Sequence, residues 1–211
     1  GGSISFNSTD KRTTSPGTRA DDGGTITTLR VDATQQNPAW KAYVGNISGT
    51  LVLDDSNNRS IYEWSLASLT GEILAVRSSV SWSTLSCATN ATIASEQTTL
   101  TMTSGDIDSI NHTFNHSTHK QFVVAGNTLT ASTCRVAYPY VNDSAQSPSV
   151  SAQFQEILMN DSSSNLIYAA SLETNVAGYH NESLYDFQMI VPDNDQAGQI
   201  TTYYFYVELD S

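Results

Sequence analysis

The sequence predicts an all-β fold: an antiparallel β-sandwich, immunoglobulin-like or jelly-roll-like, with an extended N-terminal arm. Three observations support this prediction. Apolar and polar side chains alternate in short runs rich in β-branched and aromatic residues, clusters of Asp, Asn and Ser separate the runs and favour tight turns, and no segment sustains a helical period. The 211 residues suffice for one such domain, and we assign 1–23 to the arm and 24–211 to the domain.

The predicted arm is polar. Ile4 and Phe6 are its only large apolar side chains. A segment of this composition does not fold by itself, and we expect it to become ordered only where another surface holds it. Because Ile4 and Phe6 are two residues apart, they would lie on one face of a strand.

Short segments with strand patterning follow the arm. The clearest is C-terminal, where Tyr203, Phe205 and Val207 would face one side and Tyr204 and Tyr206 the other. The predicted strands are 25–33, 40–44, 49–53, 61–66, 72–77, 98–103, 121–125, 152–158, 166–171, 186–191 and 202–209. Period-two runs of this kind, joined by turns, are typical of an antiparallel sandwich.

One segment, 104–113, is expected to form at most one or two helical turns. Ser104 is a suitable N-cap, and Asp106 and Asp108 would lie in the first turn. The clusters at the predicted turns include 54–58, 160–164 and 192–195.

The cysteines and the apolar content of the chain bear on where it is located. Cys87 and Cys134 are the only cysteines, and in an exported chain an even number favours a disulfide. Such a bridge would stabilise the fold by roughly 4 kcal/mol in the chain-entropy model. No apolar run approaches the roughly 20 residues needed to span a membrane. The sequence begins at Gly1, and we expect a mature, secreted chain from which a signal peptide has been removed.

Asn-x-Ser/Thr sequons are frequent. Ser and Thr together number 54 of 211 residues, and nine of the fifteen asparagines begin a sequon, whereas composition alone predicts about four. The nine candidate N-glycosylation sites are Asn7, Asn46, Asn58, Asn90, Asn111, Asn115, Asn142, Asn160 and Asn181. The alternative is that Asn-Ser and Asn-Thr pairs are simply good turn formers. We favour a coat of covalent glycans, which are bulky and solvating.

The charge of the chain bears on its partners. The formal net charge is −12, although only 14% of residues are charged. An acidic, lysine-poor chain repels phosphate backbones and anionic lipid, so we do not expect a nucleic-acid partner.

No metal site is predicted from the histidines. His112, His116 and His119 have a spacing that could bring imidazoles together. The sequons at Asn111 and Asn115 interleave with them, however, and glycans there would obstruct a compact site.

No catalytic residue or cofactor is assigned either. The sequence contains no nucleophile elbow, phosphate-binding loop or zinc-protease motif. The acidic turns at 54–55 and 193–195 offer oxygen ligands for calcium, but neither matches a calcium-binding loop. Trp40, Trp64 and Trp82 could line a sugar platform, although burial in a core is the commoner role for Trp40 and Trp64, which lie in predicted strands.

Three segments carry a family resemblance. They are the W-x-x-Y-x-G-N-x-S-G pattern at 40–49, the D-F-Q-M block at 186–189 and the tyrosine-rich ending at 201–209. With its two cysteines, the chain resembles uncharacterised secreted β-rich proteins encoded in archaeal genomes. The resemblance covers most of the chain after residue 24 and leaves the arm outside it. It implies an exported surface protein and carries over no activity.

The polar arm leads to a hypothesis about function. The sequence predicts a subunit of an extracellular filament, a homopolymer in which the arm of one subunit adds a strand to the next. Ile4 and Phe6 are the candidate plugs, the apolar side chains of the donated strand that would be buried in the neighbouring subunit. The run Ile26, Leu29 and Val31 is the alternative donor. Two other functions stay open: a monomeric adhesin or carbohydrate-binding module, and an extracellular glycoside-active enzyme with two carboxylates across a cleft.

Overall fold

The computed structural model describes residues 17–21, 24–28, 39–47, 50–54, 60–65, 70–180, 183–194, 199 and 201–209. Within them the chain forms sixteen strands and two short helices, and all strand pairs are antiparallel. The all-β sandwich prediction is therefore confirmed. The strands are β1 (Gly17–Asp21), β2 (Gly24–Thr28), β3 (Trp40–Gly45), β4 (Thr50–Asp54), β5 (Ser60–Ser65), β6 (Gly71–Val76), β7 (Leu85–Cys87), β8 (Phe122–Val124), β9 (Asn127–Leu129), β10 (Val136–Ala137), β11 (Glu156–Asp161), β12 (Leu166–Ser171), β13 (Val176–Ala177), β14 (Leu184–Tyr185), β15 (Phe187–Pro192) and β16 (Tyr204–Leu209), and the helices are α1 (Asn90–Thr99) and α2 (Ile110–Thr113).

A six-stranded sheet forms the centre of the molecule. Its order is β10-β11-β12-β6-β16, and β7 pairs with β11 beyond β10, on the same edge. Every residue of β11 and β12 is buried. Strands buried on both faces need a covering layer on each side of the sheet.

One face of the central sheet packs against the pair β3–β15. Ile73, Ala75 and Leu158 point to this side, where they meet Met189 and Val191 of β15. The helices also contribute, through Ile93 of α1 and through Ile110 and Phe114 in and after α2. We call this cluster the first core.

The opposite face packs against the hairpin β8–β9. Leu74, Ile157 and Ile167 point to this side and meet Phe122 and Val124. We call this cluster the second core. The alternation of adjacent residues such as Ile73 and Leu74 between the two cores follows from the two-residue period of a strand.

The predicted disulfide is confirmed. Cys87 at the end of β7 is bonded to Cys134, which is buried in the second core. The bond fastens the segment that follows β9 to the central sheet.

The predicted strand at 98–103 is wrong, because its first residues end α1. The helix begins after Thr89, whose hydroxyl caps the N–H of Thr92. The threonines of α1 are β-branched and therefore favour a strand prediction. In the helix the hydroxyls of Thr98 and Thr99 donate to backbone carbonyls one turn earlier.

The second helix lies at the end of the predicted helical segment 104–113. It begins after Ser109, whose side chain accepts from the His112 N–H, so the cap is Ser109 and not Ser104.

Several other boundaries differ from the prediction. The strand expected at 152–158 starts at Glu156, because Phe154 adopts a positive φ of 49°. The short strands β7, β9, β10, β13 and β14 were not predicted. The hairpin β1–β2 pairs Gly17 with Thr28 and therefore spans the boundary drawn at residue 23.

Candidate strand-acceptor edge

β16 is the last strand of the central sheet. It pairs with β6 from Tyr204 opposite Val76 to Leu209 opposite Gly71. Among the described residues no strand pairs with its other edge. An edge strand of this kind presents unpaired N–H and C=O groups to any extended segment that approaches it.

One face of β16 continues the first core. Phe205 packs against that core and meets the ring of Tyr43 in β3 edge to face, with the centroids 4.9 Å apart. Val207 follows on the same face and is 39% exposed. The apolar row therefore runs out of the core into solvent at this edge.

The other face of β16 carries an exposed aromatic group. Tyr204 is 55% and Tyr206 43% exposed, and the ring of Tyr206 lies edge to face with Trp82 at 5.0 Å. Next to them, the Glu208 carboxylate accepts a 2.7 Å hydrogen bond from the Ala125 N–H. That bond fastens β16 to the turn between β8 and β9.

The pair β3–β15, which covers the first core, has two outer edges whose backbone groups are bonded differently. The register runs from Trp40 opposite Pro192 to Gly45 opposite Phe187. The Ile190 N–H of β15 donates to the Glu156 carboxyl at 2.8 Å, so it is satisfied without a further strand. The outer edge of β3 has no strand partner among the described residues.

Glu156 is a fully buried carboxyl that the sequence-based prediction missed. It is 0% exposed, and its Oε1 has no hydrogen-bond partner. Burial raises its pKa well above the ordinary value, and the hydrogen bond from Ile190 offsets only part of that effect. The available signal was a single acidic residue in the apolar run F-Q-E-I-L-M.

Asp186 joins β3 to β15. Its carboxylate accepts from the N–H groups of Ile47 at 2.9 Å and Asn175 at 3.1 Å, and its own N–H donates to the Gly45 carbonyl. A Cβ on Gly45 would come within 3.3 Å of the Phe187 ring, which accounts for a glycine there.

These contacts unite the segments that carried the resemblance. The pattern at 40–49 and the block at 186–189 are neighbouring strands, and the ending at 201–209 meets them through Phe205 and Tyr43. The three segments are thus connected through β3. The candidate plugs Ile4 and Phe6 lie outside the described residues, as do Leu29 and Val31 of the alternative donor, whereas Ile26 is in β2 opposite Arg19.

The described sequons differ in exposure. Asn46, Asn90, Asn115 and Asn142 are exposed, and Asn111 is half-buried. Asn7, Asn58 and Asn181 lie outside the described residues.

Asn160 is different because it is buried in β11. Its amide donates to the Asp161 carbonyl at 2.8 Å and accepts from the Thr89 N–H at 3.3 Å. A glycan on this amide nitrogen would have no space in the folded chain.

The three histidines of the 112–119 segment have separate surroundings. His119 is buried, and its Nε2 accepts from the backbone N–H groups of Thr133 and Cys134. Burial lowers its pKa, which keeps the ring neutral beside the disulfide. His112 bonds to the Asp106 carbonyl and His116 packs on a tyrosine ring. Across the described part of the chain no cluster of three or more metal-ligand side chains is present.

The candidate calcium ligands are only partly described. Asp193 forms an ion pair with Lys41 at 2.8 Å and accepts from the Asn194 N–H, while residues 55 and 195 lie outside the described residues. Of the tryptophans, Trp40 is half-buried and donates to the Asp108 carbonyl.

Two carboxyls bear on a glycosidase function. Glu96 accepts two hydrogen bonds from Arg77 in a shallow crevice beside α1. Glu156 lies inside the molecule. The two therefore do not face each other across an open cleft in the way that glycoside hydrolysis requires.

No family model matches the chain, and neither does any curated protein or solved structure. In the described part of the chain, no helix has the length and apolar character of a membrane span.

Proposed function

We propose that this chain is the structural subunit of an extracellular, glycosylated filament. Subunits add head to tail, and the N-terminal arm of each one supplies a strand to the sheet of its neighbour. The observation that carries the proposal is the edge of the central sheet at β16, which pairs with no further strand among the described residues and where Val207, Tyr204 and Tyr206 are exposed. Natural proteins usually protect such an edge or pair it.

The N-terminal arm has the dimensions of a donor. Sixteen residues precede β1, and an extended chain of that length reaches about 50 Å. β16 is six residues long, so a short part of the arm suffices to pair with it and the rest can act as a linker. Burying Ile4 and Phe6 would contribute about 1.5–3 kcal/mol each, in addition to the backbone hydrogen bonds of the new strand.

Polymerisation follows from the difference between donor and acceptor surfaces. The proposed donor is a part of residues 1–16, and the proposed acceptor is β16. A contact between two different surfaces is heterologous, and when its rotation does not close it produces an open filament. The disulfide is typical of an oxidising compartment, which supports an extracellular location, and exposed sequons are compatible with glycans on the surface of the filament.

Deletion of residues 1–12 tests the proposal. The shortened chain should remain a folded monomer in size-exclusion chromatography and form no filaments in negative-stain microscopy. A sharper comparison uses two double variants. One combines Ile4→Ser and Phe6→Ser, and the other combines Ser3→Ala and Ser5→Ala. The first pair should abolish assembly and the second should preserve it. Unchanged assembly after the deletion would exclude this arm as the donor.

A carbohydrate-binding function has one observation in its favour. Trp82, Tyr204 and Tyr206 form a partly exposed aromatic surface, and such rings can stack on sugars. This alternative predicts a monomer that binds polysaccharide and loses binding when Tyr204 and Tyr206 are both changed to alanine, with residues 1–12 dispensable.

A further inference from the structure

We infer that the donor segment binds to the edge of β16 and not to the edge of β3, and that only one of its two faces can point inward. The inference rests on the proposed function and deepens it by excluding the edge of β3 and by assigning the inward face of the donor. Its occupant is a part of residues 1–16 of a second copy, the stretch of chain that precedes the described residues.

In the described part of the chain β16 and β3 each have one edge without a strand partner, and these two edges differ in how they are protected. β16 has Tyr204, Tyr206 and Val207 exposed along its length. On β3, Lys41 forms an ion pair with Asp193, and Ala42 is the exposed apolar residue. Because lysine on an edge strand discourages pairing, while exposed apolar side chains are buried by it, β16 is the better acceptor.

Charge favours the same choice. Glu208 is the only ionisable residue of β16 apart from its tyrosines, and its carboxylate is already bonded to the Ala125 N–H. Residues 1–7 contain no ionisable side chain. An uncharged donor beside this edge therefore places no like charges opposite each other.

The inward face of the donor follows from the unfinished apolar row. Phe205 is packed on Tyr43, and the next residue on that face, Val207, is exposed. Directly opposite residues on neighbouring strands have Cβ atoms about 5 Å apart. Ile4 and Phe6 on this face would cover Val207 and extend the first core by one strand.

The sequon at Asn7 favours the same orientation. Because strand side chains alternate, Ser5 and Asn7 of a donor strand would lie on the face opposite Ile4 and Phe6. That face would be the side of Tyr204 and Tyr206, which are 55% and 43% exposed. The reverse orientation would press Asn7 against the apolar row and leave both plugs in solvent.

Disulfide trapping between subunits tests the geometry. Ser5→Cys should form covalent ladders on non-reducing gels when it is combined with Tyr204→Cys or Tyr206→Cys. Matched controls combine Ser5→Cys with Val207→Cys, on the opposite face of the same strand, or with Ala42→Cys on β3. The controls should give no ladder. A ladder with Ala42→Cys would assign the donor to β3. A ladder with Val207→Cys would show that Ser5, and not Ile4 and Phe6, lies on the Val207 side of the donor.

A charge at the acceptor provides the second test. Val207→Lys should abolish filaments, whereas Val150→Lys, also exposed but outside β16, should leave them intact. Thermal unfolding of each monomer shows whether the fold is retained. Filaments that tolerate Val207→Lys yet disappear when residues 1–12 are deleted would overturn the acceptor assignment alone. Filaments that survive the deletion would exclude the arm as the donor and so overturn strand donation by the arm in the proposed function.

Discussion

Glu156 makes the stability of the folded chain depend on pH. Its folded-state pKa is raised above the ordinary value of 4.5 by burial, so the folded chain keeps a proton that the unfolded chain releases. Its contribution to stability is fully present below about pH 4.5 and is lost as the pH rises through the folded-state pKa. The loss amounts to about 1.4 kcal/mol for each unit by which the pKa is raised.

We expect Glu156→Gln to weaken this pH dependence. Glutamine retains an oxygen for the Ile190 N–H and carries no ionisable proton. Urea unfolding between about pH 4 and 8 should show a smaller fall in the free energy of unfolding for the variant than for the wild type. Glu173→Gln is the control, because Glu173 is half-buried and pairs with Lys120. Identical slopes for Glu156→Gln and wild type would refute the prediction.

Asp161 has the opposite tendency. Burial works against its charged form, but hydrogen bonds from Asn165, Ser81 and Ser163 outweigh burial and lower its pKa. Its contribution to stability is present above the ordinary pKa and is lost in acid. The comparison of Glu156→Gln with wild type removes this background, since both chains share it.

Asn160 is expected to remain unmodified although it begins a sequon. Both ends of its amide bond to neighbouring backbone groups inside the protein. Mass spectrometry of glycopeptides should find Asn160 bare and should find glycans at Asn46, Asn90 and Asn142, which are exposed. A glycan found on every copy of Asn160 in the folded protein would contradict the burial of Asn160 in β11.

At the scale of elements, Asp186 is the residue that holds β3 to β15. Asp186→Ala removes both acceptors for the Ile47 and Asn175 N–H groups. Because hydrogen bonds to charged groups contribute about 1.5–3 kcal/mol each, loss of these two should lower the free energy of unfolding by about 3–6 kcal/mol. Ser147→Ala, at an exposed residue, should change it far less. Denaturant unfolding of both variants measures the two changes. Equal losses in the free energy of unfolding would show that Asp186 does not stabilise the β3–β15 pair specifically.

Strands with two clearly different faces, or with wholly apolar sequences, were predictable from the sequence. β3, β6, β12, β15 and β16 lie within one or two residues of their predictions, because their side chains alternate or are continuously apolar. The disulfide was predictable because two cysteines allow one pairing.

Other elements, among them α1 and the shortest strands, depend on contacts that no local pattern contains. α1 has little amphipathic character in its sequence, and burial of Thr92, Ile93 and Gln97 stabilises it. Strands of two or three residues, such as β7 and β10, exist because β11 offers an edge to pair with. The open edge of β16 likewise depends on the order of strands in the sheet, which alternation alone does not determine.

At the scale of the whole molecule, the disulfide and the proposed strand donation stabilise different things. Cys87–Cys134 lies behind the second core, next to His119, whereas the edge of β16 continues the first core. The bond therefore stabilises the subunit, and the donated strand would hold neighbouring subunits together through backbone hydrogen bonds and plugs.

We therefore expect a reducing agent alone to leave filaments intact, as judged by negative-stain microscopy. The combination Cys87→Ala with Cys134→Ala should lower the free energy of unfolding of the subunit by about 2–5 kcal/mol and should still permit assembly below its melting temperature. The deletion of residues 1–12 should do the reverse, leaving the disulfide and the fold in place while removing the filament. Rapid disassembly on reduction would show that the bond, and not an inserted strand, links the subunits.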